Sequence, residues 1–299
     1  MRCFKPIQGV RDRSGRVRFD SPSRSDGNLV EVRCGQCRGC RLQRSREWSQ
    51  RIMHEASLYE ANCFVTLTYS DDHLPPLGSL DHTHVQKFLK RLRAFFYPRT
   101  IRYYMCGEYG EALARPHYHF CLFNLNFLQD QQLLTTNSSG FTSYSSSSLT
   151  TLWPYGLHHI GTLTIQSAAY CARYIMDKIT GDLSEAHYAV TDQDGVILGY
   201  RKPEYNCMSR RPGIGSGWYD KYSADLHNYD YAVHNGRRGP VGRYYDRLRK
   251  RRDPSGLDET KAERQVTASS HWQDNTPARL AVQDEVLAHA LKRLPRTLK

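Results

Sequence analysis

The chain has 299 residues, with 42 Lys and Arg against 30 Asp and Glu, a formal net charge of +12 and a pI near 9.3. No apolar run approaches the roughly 20 residues a membrane-crossing helix needs. The nine cysteines, an odd number, and the lack of a secretory leader argue for a reducing cytosol over a disulfide framework. The charge is clustered: residues 1–51 hold 13 Lys/Arg against 5 Asp/Glu, and residues 236–252 hold 8 against one. Such patches point to a polyanion, bound through its phosphates with an affinity that falls steeply with salt. Twenty tyrosines offer faces on which unpaired bases can stack.

Residues 1–33 read as irregular, with the Arg/Ser/Asp/Gly-rich stretch 11–28 a loop or partly disordered. Cys34, Cys37 and Cys40 then form a Cys-x2-Cys-x2-Cys set in an Arg/Gly setting. It could hold Zn2+ with a fourth ligand, Cys3 or His54, although no second pair at zinc-ribbon spacing is present. Residues 41–59 read as a helix with Trp48, Ile52 and Tyr59 on its buried side, and 62–69 as a strand. Val85, Phe88, Leu89, Leu92 and Phe96 recur at helical spacing, so 81–97 is expected to be a helix packed on a sheet. The β-like run 101–106, ahead of Glu108, can pair in a hairpin with the strand that follows.

That strand is Arg115-Pro116-His117-Tyr118-His119-Phe120. Side chains alternate across a strand, so His117 and His119 share one face and Tyr118 takes the other. Two neutral imidazoles on a rigid strand suit a divalent metal. The apolar run Phe120-Cys121-Leu122-Phe123 continues it as a buried strand. Residues 135–151, rich in Ser and Thr, read as a long loop. After a β-like run at 159–165, residues 168–178 read as a helix with Ser167 as N-cap. Positions i and i+4 stack on a helix, which puts Tyr170, Tyr174 and Lys178 in one column beside an apolar stripe of Ala169, Ala172, Ile175 and Ile179. Cys63, Cys106, Cys121 and Cys171 lie in apolar runs and read as small buried hydrophobes. Residues 189–198 read as a hairpin around Asp192-Gln193-Asp194-Gly195, residues 237–252 as a basic, helical element, and Thr276-Pro277 as the opening of a last helix bearing Leu280, Val286, Leu287 and Leu291.

A His-hydrophobic-His strand followed by a Tyr-x3-Tyr helix resembles the HUH endonucleases, in particular the gokushovirus-like rolling-circle replication initiators of microviruses. Phe64-Val65-Thr66-Leu67-Thr68-Tyr69 is similar to the family's first motif strand, and Cys106-Gly107-Glu108-Tyr109-Gly110-Glu111 to its run into the metal strand. Cys34-Gly35-Gln36-Cys37-Arg38-Gly39-Cys40-Arg41 with Ser45-Arg46-Glu47-Trp48, and later Arg210-Arg211-Pro212-Gly213-Ile214-Gly215, resemble further blocks of the same proteins, in family order from about 34 to 219.

The resemblance implies an α+β fold with a central antiparallel sheet of about five strands, the HUH strand central and helices on one face. Residues 1–60 would be a Cys/Arg-rich segment with a helix, 61–181 the endonuclease core and 182–299 a basic extension ending in a helix. It implies Mg2+ or Mn2+ held by His117, His119 and a carboxylate, Glu108, with Glu111 the competitor. It also implies nicking of origin single-stranded DNA by Tyr170 and Tyr174 through a 5′-phosphotyrosine, with Lys178 stabilising phosphate charge. Arg115, Arg173, Arg237, Arg238 and Arg243 are expected to meet DNA. No Gly-x4-Gly-Lys-Ser/Thr sequence is present, so a host helicase and polymerase are implied, in the host bacterial cytoplasm. Two other readings stand beside this one: a transposase or relaxase of the same superfamily, and a non-catalytic, zinc-stabilised single-strand-binding protein.

Overall fold

The computed structural model describes residues 3–19, 28–110, 113–136, 140–173, 178–179, 181–234 and 236–293. The chain forms two compact units, one from residues 1–44 and 241–296 and one from residues 45–240. Part of the stretch 11–28, expected as a loop, lies outside the described residues.

The amino-terminal strands are β1 (Ile7–Arg11), β2 (Val17–Arg18) and β3 (Asn28–Val32), followed by α1 (Arg38–Ala56). The strands form an antiparallel sheet in the order β2-β1-β3, which corrects the irregular reading of residues 1–33. The turn-rich composition that suggested a loop is real, since Asp12 Oδ1 accepts from the Ser14 and Arg16 amides. It closes a hairpin instead of ending the structure.

Next come β4 (Asn62–Thr68), α2 (His82–Phe95), β5 (Arg102–Tyr109), β6 (Pro116–Phe123), β7 (Gln131–Thr136), β8 (Thr142–Ser146), α3 (Ser147–Leu152), β9 (His158–Gly161) and α4 (Ile165–Arg173). They are followed by α5 (Leu183–Tyr188), β10 (Ala189–Thr191), β11 (Ile197–Tyr200), β12 (Tyr205–Met208), α6 (Ser216–Tyr229), β13 (Tyr231–His234) and β14 (Arg237–Pro240). The chain then continues through α7 (Arg243–Arg252), α8 (Pro254–Ser270) and α9 (Pro277–Lys292). The expected hairpin at 189–198 is β10 paired with β11. The basic element expected to be helical through residues 237–252 is a strand over Arg237–Pro240 and a helix only from Arg243. No helix among the described residues is long and apolar enough to cross a membrane.

The fold is α+β, and its main sheet is antiparallel in the order β12-β5-β6-β4-β9-β8-β7. It has seven strands instead of about five, and the expected His-x-His strand, β6, sits beside the central β4. Two of the added strands come from the Ser/Thr-rich segment, where β7 and β8 pair and α3 follows. The β-branched threonines suit a half-exposed edge. Asp130 closes this element: its carboxylate accepts from the Ser146 and Ser147 hydroxyls and the Ser148 amide at 2.7–3.0 Å. Ser146 Oγ in turn accepts from the Leu149 amide as N-cap of α3. Asp130→Ala is expected to cost about 1 kcal/mol, read as a lower urea midpoint at unchanged slope.

Helices cover both faces of the sheet, not one. On the first face Val65, Leu67, Tyr118, Phe120 and Leu122 pack against Val85, Phe88, Leu89 and Leu92 of α2 and Leu149 and Leu152 of α3. On the second face Phe64, Tyr104, Cys106, Cys121 and Phe123 pack against Ile52 and Ala56 of α1, Ala168 and Cys171 of α4, and Ile214. Covering both faces is what lets Phe120 through Phe123 all be buried.

Candidate functional site

The site lies on the second face. Strand register sets it: Glu108 pairs with His117 and Cys106 with His119 across β5 and β6, while Thr68 pairs with His117 and Thr66 with His119 across β4 and β6. Directly opposed residues share a face, so Glu108, His117, His119, Thr66 and Thr68 all point the same way. Tyr118 points to the other face, where its hydroxyl accepts from the Asp81 amide and anchors β6 to the start of α2.

His119 is 5% exposed. Its Nδ1 lies 2.9 Å from Thr66 Oγ1 and its Nε2 lies 2.6 Å from Glu108 Oε1. The arrangement fits an Nε2–H tautomer donating to the carboxylate and an Nδ1 accepting from the threonine hydroxyl. Burial pushes the His119 imidazolium down to about 3. The carboxylate pulls the other way, but in so buried a ring the loss of hydration governs, and His119 stands neutral. His117 Nδ1 donates to the Arg115 carbonyl at 2.6 Å. The two rings are parallel within 2° at 6.4 Å. Gly110 makes the space for His117: a Cβ there would lie 3.0 Å from the His117 Cε1.

α4 brings Tyr170 to this face. Its start is a reciprocal cap, with Thr164 Oγ1 accepting from the Ser167 amide and Ser167 Oγ accepting from the Thr164 amide. The N-cap is therefore Thr164, not Ser167. The stripe buried on the sheet runs through Ala168, Cys171 and Ala172, displacing the expected Ala169. Cys171 Sγ reaches the His119 carbonyl at 3.5 Å and Cys106 Sγ at 3.4 Å, so the helix is seated directly on the His119 strand. The four cysteines expected to be buried hydrophobes are buried. Tyr170 meets His119 edge to face, 5.1 Å between centroids at 85°, and stands 6.3 Å from Phe64. Tyr174 and Glu111 lie outside the described residues. Lys178 is exposed and non-helical, so the helical column does not extend to it as expected.

Glu108 and His119 are thus brought together with Tyr170, while His117 stands one ring further out. Among the described residues, the ligand set whose donor atoms all lie within 4.8 Å of one another is a different one: Cys3, Cys34, Cys37 and Cys40. That cluster could hold a metal such as zinc. Of the two candidates for fourth ligand, the structure selects Cys3; His54 instead stacks on Trp218, 3.6 Å between centroids. Burial drives the Cys3 thiol up to about 12. At Cys37 burial acts the same way, but amide donors from Cys40 and Phe4 outweigh it and bring the thiol down to about 6.

A family model for the replication-associated protein ORF2 matches residues 62–179, the span from β4 past Tyr170. The chain is 32% identical to Replication-associated protein ORF2 of Spiroplasma virus 4 over 335 aligned positions, covering all of this chain and 99% of that protein. It is 31% identical to Replication-associated protein VP4 of Bdellovibrio phage phiMH2K, covering 85% of this chain and 79% of the relative. The chain belongs to the microvirus-type replication-associated proteins. A shorter match, 31% identical over 48% of this chain, joins it to Replication-associated protein ORF4 of Chlamydia phage 1. No solved structure matches.

In this replication-associated chain the expected DNA-contacting arginines divide by environment. Arg115 is engaged within the fold, donating to the Tyr69 carbonyl at 2.8 Å and pairing with Asp71. Arg173, in the last turn of α4, is half-buried. Arg237 and Arg238 are exposed on β14, Arg238 lying over the Tyr231 ring, and Arg243 is exposed at the start of α7.

Sequence reasoning missed three contributors. Thr66 orients His119, and its signal was the Thr-x-Thr alternation of β4. Gly110 clears the His117 ring, and a glycine just past a strand end was the available cue. The third is a buried clamp: Glu55 accepts from Arg102 Nε at 2.5 Å and from the Gly215 amide at 2.7 Å, and Arg102 also donates to the Pro212 carbonyl at 2.9 Å. It gives the Arg-Arg-Pro-Gly-Ile-Gly block a structural role, holding Ile214 against α1 and β5.

Proposed function

We propose that this chain starts rolling-circle replication of a small circular DNA as an HUH-type endonuclease and strand transferase. The observation that carries the reading is Tyr170 set edge-on to His119, with Glu108 in contact with the same imidazole. Tyr170 Oη would attack the scissile phosphorus. The P–O3′ bond breaks, the 5′ phosphate stays on the tyrosine, and the proton ends on the released 3′ hydroxyl, which primes synthesis. Tyr174 would cut the regenerated origin, and the freed 3′ hydroxyl then closes the first circle by displacing the phosphotyrosine. The covalent link conserves the energy of the cut bond, so no nucleotide is consumed.

A tyrosine with a pKa near 10 is a weak nucleophile at neutral pH. Mg2+ or Mn2+ bound at this face would polarise the phosphate and offset that weakness. Two imidazoles and a carboxylate suit such an ion. The His117 and His119 Nδ1 atoms are each held by an oxygen, which leaves Nε2 as the ligating atom on both rings. Thr68 Oγ1, opposite His117 on the same face, is buried with no hydrogen-bond partner among the described residues, as suits an atom placed for a ligand. His117, His119 and Glu108 would hold the ion. Lys178, Arg173, Arg237, Arg238 and Arg243 would screen DNA phosphates, and the place of action is the host bacterial cytoplasm with host helicase and polymerase.

The test uses 5′- and 3′-labelled single-stranded origin DNA with Mn2+ on a denaturing gel. An adduct carrying the downstream fragment supports the reading. Tight binding without an adduct favours the non-catalytic binding protein. A smaller effect tests His117 itself: Gly110→Ala pushes on its ring and is expected to slow nicking about tenfold, with the thermal midpoint nearly unchanged.

A further inference from the structure

We propose that Cys3, Cys34, Cys37 and Cys40 hold one Zn2+ as a closed tetrathiolate, and that this ion is the staple that folds the amino-terminal sheet. This does not depend on the nuclease reading.

Geometry points to a metal in preference to a disulfide. Cys3 Sγ lies 3.6 Å from Cys34 Sγ and 3.9 Å from Cys37 Sγ. A tetrahedron with Zn–S bonds of about 2.3 Å has sulfur–sulfur edges of about 3.8 Å. A disulfide needs about 2.05 Å. All four sulfurs lie within 4.8 Å of one another, and all four are at least partly buried. A fully thiolate set leaves no open position, so the site is structural in type.

The backbone is arranged for sulfur that carries charge. The Phe4 amide donates to Cys37 Sγ, the Cys34 amide to Cys3 Sγ, and the Gln36 and Cys37 amides to Cys34 Sγ, all at 3.3–3.4 Å. Such N–H bonds to ligand sulfur orient the ligands and spread their charge. The Cys34-to-Cys37 turn passes through Gly35 at φ +76, a conformation that disfavours other residues. Cys37 immediately precedes α1 and Cys40 lies in its first turn, so their spacing is fixed by the helix. Arg33, Arg38, Arg41 and Arg44 interleave with the cysteines in sequence, and their charge opposes the two net negative charges of a zinc tetrathiolate.

The sheet itself needs such a staple. Among the described residues of β1, β2 and β3, Val10 is the one large apolar side chain that is buried, while Ile7 and Leu29 are 44% and 48% exposed. So little apolar burial does not offset the entropy of ordering three strands. Cys3 and Cys34 bracket the whole sheet, so an ion joining them closes a loop of about thirty residues. The binding free energy of such an ion is folding free energy.

The test measures metal on the full chain purified with reductant and dialysed without chelator. The expected content is one zinc per chain, falling about tenfold in Cys3→Ser and unchanged in Cys207→Ser, a cysteine of β12 outside the cluster. Replacing zinc by Co2+ should give the intense thiolate-to-cobalt absorption and tetrahedral visible bands of a sulfur-only site. If Cys3→Ser does not fold, chelation of the native chain decides: amide exchange should speed up across residues 7–32 and recover with Zn2+ but not Mg2+, while the seven-stranded sheet keeps its protection. A native chain without zinc overturns the proposal. So does zinc retained in full by Cys3→Ser, or exchange at 7–32 indifferent to chelation.

Discussion

His119→Ala is expected to reduce origin nicking by about three orders of magnitude, with single-stranded DNA binding retained within a few-fold. The ring is the meeting point of the site: Glu108 on one nitrogen, Thr66 on the other, Tyr170 against its face. Removing it deletes a ligand and frees the carboxylate that remains. Losing electrostatic stabilisation of the phosphate by about 4 kcal/mol corresponds to roughly a thousandfold in rate. Binding should hold because it comes from dispersed Lys and Arg, each screened by salt. The substitution also strands a buried carboxylate at a cost of about 1–3 kcal/mol, so the variant must be shown folded by far-ultraviolet circular dichroism at the assay temperature. The assay follows cleavage of labelled origin DNA, with binding measured by anisotropy across a salt series. A proportional loss of binding and nicking would assign His119 to the fold alone.

Glu55→Ala should produce the largest loss of stability, about 3–5 kcal/mol. Glu55 and Arg102 are 2% and 8% exposed. Together they tie α1, β5 and the 212–215 turn, with Glu55 bonded to Arg102 and Gly215 and Arg102 bonded in turn to Pro212. Removing the carboxylate leaves a guanidinium buried without its charge partner and an amide without an acceptor, each costlier than the net worth of the original bonds. Against a typical domain stability of about 5–15 kcal/mol, this is a large fraction. Glu55→Gln keeps one acceptor and should cost less than half as much. Urea unfolding reads both, and equal midpoints for Glu55→Ala and the native chain would refute the clamp.

The heart of the site was legible because it obeys local rules. Period-two alternation separated His117 and His119 from Tyr118, and that division holds, with the histidines on the α4 face and Tyr118 in the core beneath α2. The position of Glu108 came from resemblance, and strand register now sets it opposite His117. What sequence hid was non-local. The expectation of helices on one face overlooked that Phe120-Cys121-Leu122-Phe123 has no polar alternate, the pattern of a strand covered twice. The stretch 135–151 reads as loop by composition, yet Asp130 gathers its serines into the start of a helix. Cys3 as fourth sulfur could not be separated from His54 by spacing, since the choice is made by the hairpin that returns Cys34 beside Cys3. Glu55 and Gly215 are 160 residues apart, and no periodicity links them.

The measurement that tests the central claim most directly is the identity of the residue bonded to DNA. Trypsin cutting after Arg173 separates the two tyrosines, leaving Tyr170 at the end of a long peptide and Tyr174 in the short peptide that ends at Lys178. After reaction with origin DNA and nuclease digestion, mass spectrometry should find a 5′-nucleotide on the Tyr170 or Tyr174 peptide, absent without divalent metal and in His119→Ala. A nucleotide on any other residue, or cleavage of the origin with no bonded nucleotide at all, would contradict the account.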